Sequence, residues 1–136
     1  MSKRYLLDTN ICIYIAKNHP SIVRERFESL TSDQLAMSVI TFGELRFGAE
    51  KSHKREHSLQ TLDQLSRLIQ ISPLSVKAGV CYGKLRNKLQ KMGQTIGNND
   101  LWIAAHALSE GWTLVTNNTR EFQRVEGLEI ENWASS

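Results

Sequence analysis

Apolar residues fall into two alternating patterns along the chain, short unbroken runs and ladders spaced by three and four. Tyr5-Leu6-Leu7 is a run cut off by Asp8, which predicts a short strand buried on both faces. Ile11-Cys12-Ile13-Tyr14-Ile15-Ala16 is apolar throughout and predicts a helix packed nearly all round, ended by His19-Pro20. Pro20 suits the first position of a following helix that reaches about Leu30. Leu35 to Ile40 predicts a second strand. Thr41-Phe42-Gly43-Glu44 then has the spacing of a capping box, with Thr41 as N-cap and Glu44 three residues on. The helix it opens continues through Leu45, Phe47, Gly48 and Ala49.

A charged stretch, Lys51 to His57, leads to a longer helix whose inner face is Leu59, Leu62, Leu65 and Ile69. Leu68 to Ile71 can also be a short strand, and period alone does not decide. After Pro73, the ladder Ala78, Cys81, Leu85, Leu89, Met92 predicts an amphipathic helix closed by Gly93. Its other face carries Lys77, Lys84, Lys88 and Lys91. A helix then starts at Asn98 or Asn99, because Asn is a good N-cap, and buries Ile103, Ala104, Ala107 and Leu108 before Gly111 stops it. Trp112 to Val115 predicts a strand, Thr116 to Thr119 the loop after it, and Leu128 to Ile130 a last short strand.

Strands alternating with helices imply a parallel sheet covered on both faces. The 136 residues fit a single domain, 1–136, which at that size buries roughly two-thirds of its unfolded surface without staples. The two cysteines, Cys12 and Cys81, form no CxxC, so a zinc ribbon or thioredoxin-like motif is excluded. They read as buried thiols of a reducing cytoplasm. No secretory h-region is present, and no run approaches the ~20 apolar residues of a membrane span. The net charge of +3 favours a polyanionic partner only weakly.

Three acids stand at element ends. Asp8 closes the first strand, Glu44 follows the second, and Asp100 lies in the first turn of the Asn98 helix. Each has a bland reading: a helix N-cap for Asp8, the capping box for Glu44, a dipole-favoured first-turn acid for Asp100. In parallel sheets, however, ligands bind outside the carboxyl ends of the strands. Converging carboxylates would repel by about 4 kcal/mol per pair at about 4 Å and an effective dielectric of about 20. A hard cation relieves that repulsion, so Mg²⁺ or Mn²⁺ is expected over Zn²⁺. Such a site suits phosphodiester hydrolysis, with a water oriented for in-line attack.

Four segments carry a resemblance. Leu6-Leu7-Asp8-Thr9-Asn10, Ser38 to Leu45, Ile96 to Ala105 and Leu114 to Phe122 resemble, in order and spacing, the four motifs of PIN-domain ribonucleases. More closely they are similar to the VapC toxins of type II toxin–antitoxin pairs, from about Tyr5 to Trp133. The resemblance implies a PIN-like α/β/α sandwich around a central parallel sheet flanked by helices. It implies a metal-dependent endoribonuclease that inhibits translation and growth. Asp8, Glu44 and Asp100 would hold Mg²⁺ or Mn²⁺. A VapB antitoxin would insert a segment over the site. The toxin would be a homodimer within a larger toxin–antitoxin complex that binds promoter DNA through the antitoxin. Similar chains cut initiator tRNA in the anticodon loop.

One position departs from the pattern. Many PIN domains carry a fourth acid where this chain has Asn118, which puts a second metal ion in doubt and leaves open a nucleic-acid-binding module without turnover. Asn118 is kept as a catalytic candidate, and Glu121 is read as a surface residue that could substitute. Thr116, Arg120, Lys84, Lys88 and Lys91 are candidate RNA contacts, with Arg124 beside them, because a basic rim would offset the repulsion between carboxylates and RNA. His53 to His57 matches H-x-x-E-H by letter, but its dense positive charge opposes a cation. His106, Trp102 and Trp133 read as packing residues.

Overall fold

The computed structural model describes residues 3–135. Its five strands are β1 (Tyr5–Leu7), β2 (Leu35–Ser38), β3 (Gln70–Ser72), β4 (Thr113–Val115) and β5 (Ile130–Glu131). All four pairings are parallel, and the order is β3-β2-β1-β4-β5. Because successive strand residues face opposite ways, Tyr5, Leu7, Leu35, Met37 and Val115 join one core, whereas Leu6, Ala36 and Leu114 join another. That is why the three central strands are apolar apart from Ser38 and Thr113 at their ends.

The helices are α1 (Thr9–Lys17), α2 (Ser21–Glu28), α3 (Val39–Glu50), α4 (Arg55–Leu68), α5 (Val76–Lys91), α6 (Asn98–Glu110) and α7 (Thr119–Phe122). Ile11, Ile15, Val23, Phe27 and Leu65 bring α1, α2 and α4 onto the Leu7 face. Leu85, Leu89, Leu101, Ile103, Ala104 and Phe122 bring α5, α6 and α7 onto the Leu6 face. The result is the α/β/α sandwich expected. Among the described residues no helix is long and apolar enough to cross a membrane.

Several boundaries differ from the sequence reading, each for a local reason. The second strand stops at Ser38 rather than Ile40. The Ser38 hydroxyl accepts the Ile40 amide at 3.1 Å and starts α3 there. Val39 and Ile40 are β-branched, yet they form the first turn of a helix. Thr41 is therefore inside α3 and not its N-cap; its hydroxyl is buried without a partner. Thr41 and Glu44 therefore form no capping box, and Glu44 is released for other contacts. Pro20 is the N-cap of α2 and not its first helical residue, and α2 ends at Glu28. Asn98 and Asn99 do not cap α6 either: Gly97 takes that place, and both Asn side chains are free to bond elsewhere. The helix of Ile11 to Ala16 is packed on one side, with Ile13, Tyr14 and Ala16 partly exposed. Met92 ends outside the α5 interface, 55% exposed. Gly93 and Gly111 occupy left-handed backbone (φ 66° and 72°), which explains both helix stops.

Candidate active site

β1 is the point where the sheet order turns: the chain builds β2 and β3 on one side, then returns to add β4 and β5 on the other. Such a switch opens a crevice at the carboxyl ends of the strands. Asp8 follows β1 and Thr116 follows β4, and the Asp8 amide donates to the Val115 carbonyl at 3.0 Å.

Asp8 is 6% exposed. Its Oδ1 accepts the Ile11 amide at 3.0 Å, so it does cap α1 as the bland reading holds. Burial pushes its carboxyl above the usual range. Hydrogen bonds from Thr116 and the Ile11 amide oppose that rise, and the charge of Glu44 adds to it. Thr116 is itself fully buried. It therefore supports Asp8 and cannot touch RNA, which corrects its assignment as an RNA contact.

Glu44 lies in the second turn of α3. Its Oε1 accepts the Thr9 hydroxyl at 2.6 Å, and its Oε2 accepts Asn99 Nδ2 at 3.4 Å. One carboxylate thus ties α3 to the starts of α1 and α6.

Asp100, in the first turn of α6, is pushed up to about 6. Burial is the largest cause. The charges of Glu121, Glu44 and Asp8 follow, with a hydrogen bond to Glu121. The three sequence-predicted acids therefore face one electrostatic neighbourhood, and a fourth acid joins them. Glu121 is oriented by Asn118, whose Nδ2 donates to Glu121 Oε2 at 3.2 Å while its own amide donates to Thr116 Oγ1 at 2.9 Å. Glu121 is partly buried in this network and is not the surface residue the sequence suggested. The available signal was the spacing of three between Asn118 and Glu121 at the start of a helix, which puts both on one side.

The donor set is all oxygen. None of the influences acting on Asp100 is a basic group. Among the described residues no three His, Cys, Asp or Glu side chains close into a ready-made cage. The set nonetheless fits a hard divalent ion, which takes one or two carboxylates and keeps several waters.

The basic candidates divide. Arg120 is exposed next to Glu121. Lys88 pairs with Glu126 at 2.5 Å, and Arg124 donates to the Thr95 carbonyl at 2.8 Å. Lys84 and Lys91 are exposed on α5. In the His53 to His57 run, Glu56 pairs with Arg55 at 3.0 Å. His106 is fully buried between the Ser38 and Ser72 hydroxyls, at 2.9 and 3.2 Å, and burial lowers its pKa.

With this geometry in hand, comparison with known proteins is specific. A model of the PIN domain matches residues 5–128. The ribonuclease VapC2 of Rickettsia felis is 44% identical over 130 residues, covering 95% of this chain and 97% of that protein. The tRNA(fMet)-specific endonuclease VapC of Shigella flexneri is 42% identical over 131 residues, covering 96% and 98%. The crystal structure of DNA-bound VapBC from Salmonella typhimurium matches with a TM-score of 0.91 at 39% identity, covering 97% of this chain and 99% of that one.

Proposed function

The chain belongs to the PIN-domain family, and on that premise we propose that it is the ribonuclease toxin of a VapBC pair, hydrolysing RNA phosphodiesters at the Asp8–Glu44–Asp100–Glu121 edge. PIN-domain ribonucleases generally depend on a divalent metal. Mg²⁺ or Mn²⁺ is the ion this donor set favours. The observation that carries the reading is the gathering of Asp8, Glu44, Asp100 and Glu121 at one strand-end crevice. The Thr9 and Asn99 bonds to Glu44 and the Asn118 bond to Glu121 hold the acids in place, and burial and the neighbouring charges raise Asp100. A folded chain gathers such charges at a strand-end crevice where a cation is to be received.

When bound, the ion supplies charge stabilisation at the phosphoryl oxygens and activation of the attacking water. The residues of the chain do the rest. The Ile11 amide and Thr116 fix Asp8, Thr9 and Asn99 fix Glu44, and Asn118 fixes Glu121. Asn118 is then a positioning residue, and Glu121 is the fourth carboxylate. On this reading the acid missing at position 118 is supplied from position 121, which favours turnover over a module that only binds nucleic acid. Arg120, exposed beside Glu121, is placed to meet substrate phosphate.

Relatives of this chain include a tRNA(fMet)-specific endonuclease and the toxin of a DNA-bound VapBC complex. We extend these to this chain as its substrate class, tRNA, and its partner, a VapB-type antitoxin that contacts promoter DNA. A homodimer inside that complex completes the proposal. A groove of about 490 Å³ supports the antitoxin: it runs from Thr9 and Glu44 over Ile13, Leu45, Ala49 and Leu62. A segment laid along it would end over the carboxylates. The test is cleavage of purified tRNA and an unstructured RNA by wild type and Asp100→Asn, in Mg²⁺, Mn²⁺ or chelator. Metal-dependent cutting by wild type alone is expected. Equal cutting by both proteins would overturn the assignment of the site.

A further inference from the structure

α5, the loop after it and the start of α6 border a second, partly open cavity of about 160 Å³, lined by Arg86, Leu89, Gln90, Thr95, Ile96, Asn98 and Leu101. A cavity of roughly 150 Å³ is enough for one six-membered aromatic ring. The two leucines supply apolar wall. The guanidinium and the two side-chain amides supply donors and acceptors of the kind that read the edge of a base.

Arg86 is held ready rather than neutralised. Arg24, Arg26, Arg46, Arg55 and Arg67 each meet a carboxylate. Arg86 makes no ion pair among the described residues; its Nη1 donates to the Tyr82 hydroxyl at 2.9 Å. Tyr82 is fixed in turn. Its ring stacks on Trp102 with centroids 3.8 Å apart and planes 11° apart, and its hydroxyl donates to Asn98 Oδ1. Arg86 and Gln90 are four residues apart and share one side of α5.

The first turn of α6 joins this cavity to the acidic edge. Asn98 bonds toward Tyr82, Asn99 bonds to Glu44, and Asp100 meets Glu121. Asn98 and Asp100 lie about 3 Å apart along the axis but roughly 200° apart around it, so they face different sides of the same first turn. The helix is about 10 Å across with its side chains, so a nucleotide that passes the N-terminal end of α6 with its phosphate at the carboxylates brings its base round to the cavity. RNA recognition by sequence works on unstacked bases of this sort, with their edges hydrogen-bonded in a pocket.

We infer that the cavity between Arg86, Gln90 and Asn98 is a nucleobase subsite that reads one base next to the scissile phosphate. The inference rests on the ribonuclease reading above and adds the residues that set its preference. None of Lys84, Lys88 and Lys91 lines the cavity, so the subsite is distinct from a general phosphate-binding stripe.

The test compares wild type, Arg86→Ala, Arg86→Lys and Gln90→Ala. The substrates are single-stranded oligoribonucleotides that differ only in the nucleotides flanking the cut, and matched oligonucleotides with an abasic residue there. Wild type should prefer one base by roughly tenfold or more in kcat/KM, the range of a well-made bidentate contact. Arg86→Ala and Gln90→Ala should bring that ratio toward one. Arg86→Lys should do the same, because a point charge lacks the planar fork. The losses from Arg86→Ala and from the abasic residue should not add. If Arg86→Ala slows every substrate equally, the abasic one included, or if all three variants keep the wild-type preference, the subsite is wrong while the nuclease stands. If wild type cuts no RNA in either metal, the nuclease reading fails and the subsite with it.

Discussion

Asp8 and Glu44 are met by hydrogen-bond donors, whereas Asp100 is met by other carboxylates. On the first side, the Ile11 amide, Thr116, Thr9 and Asn99 each donate a hydrogen bond to an acid, so those acids are oriented before any ligand arrives. On the second, Asp100 and Glu121 face each other, and Asn118 restrains only Glu121. The difference divides the labour of the edge. The β1–α3 side is a fixed frame, and the α6–α7 side carries the electrostatic strain that a cation would relieve.

The contrast can be broken at several points. The largest effect is expected from Asp100→Asn, which should abolish metal-dependent RNA cleavage while leaving the circular dichroism spectrum unchanged. Next, Asn118→Ala should lower cleavage by about 10- to 100-fold, the usual cost of losing a partner that orients a ligand. Restoring most of that activity with excess Mn²⁺ would place the loss in metal affinity.

The pH dependence of stability tests the strained side directly. The folded-state value of about 6 for Asp100 lies above the ordinary ~3.9 of the unfolded chain. Between those values the folded chain binds more protons, so metal-free stability falls as pH rises from about 4 through 6. Asp100→Asn should remove the share of this fall that belongs to Asp100 and leave the share contributed by the raised Asp8 carboxyl. Discounted for solvent screening of a half-buried group, it should stabilise the metal-free protein by about 1–2 kcal/mol at pH 7 and by a small fraction of that at pH 4, measured by denaturant unfolding in chelator. The smallest effect belongs to the fixed frame. Thr9→Val removes one donor to Glu44 and should cost about 1 kcal/mol with little change in the pH profile.

The layered fold was legible because its signals are local and repeated. The three-residue run ending at Asp8, the helix stops at Gly93 and Gly111, and the α5 ladder each follow from one side chain or one period. What misled the reading was competition between local signals. Val39 and Ile40 favour a strand, yet the Ser38 hydroxyl claims the Ile40 amide and turns them into helix. That shift took Thr41 out of the capping position and gave Glu44 to Thr9, a contact 35 residues away in sequence. Asp8 and Asp100 could be proposed from their places at element ends. Glu121 could be named only as a possible substitute, because its meeting with Asp100 depends on how α7 lies against α6. Arg86 escaped for a similar reason: the lysines of α5 form the more conspicuous charge pattern, and only the packing of α5 on α6 sets Arg86 beside Asn98.

The central claim is that the four acids form one cation-receiving edge, and thermal unfolding at pH 7 tests it most directly. Wild type and Asp100→Asn would be melted in chelator and in Mn²⁺. The account predicts a crossing: in chelator the variant melts higher than wild type, and Mn²⁺ raises the wild type while leaving the variant nearly unmoved. A variant that melts lower in chelator, and that gains as much from Mn²⁺ as the wild type does, would contradict it.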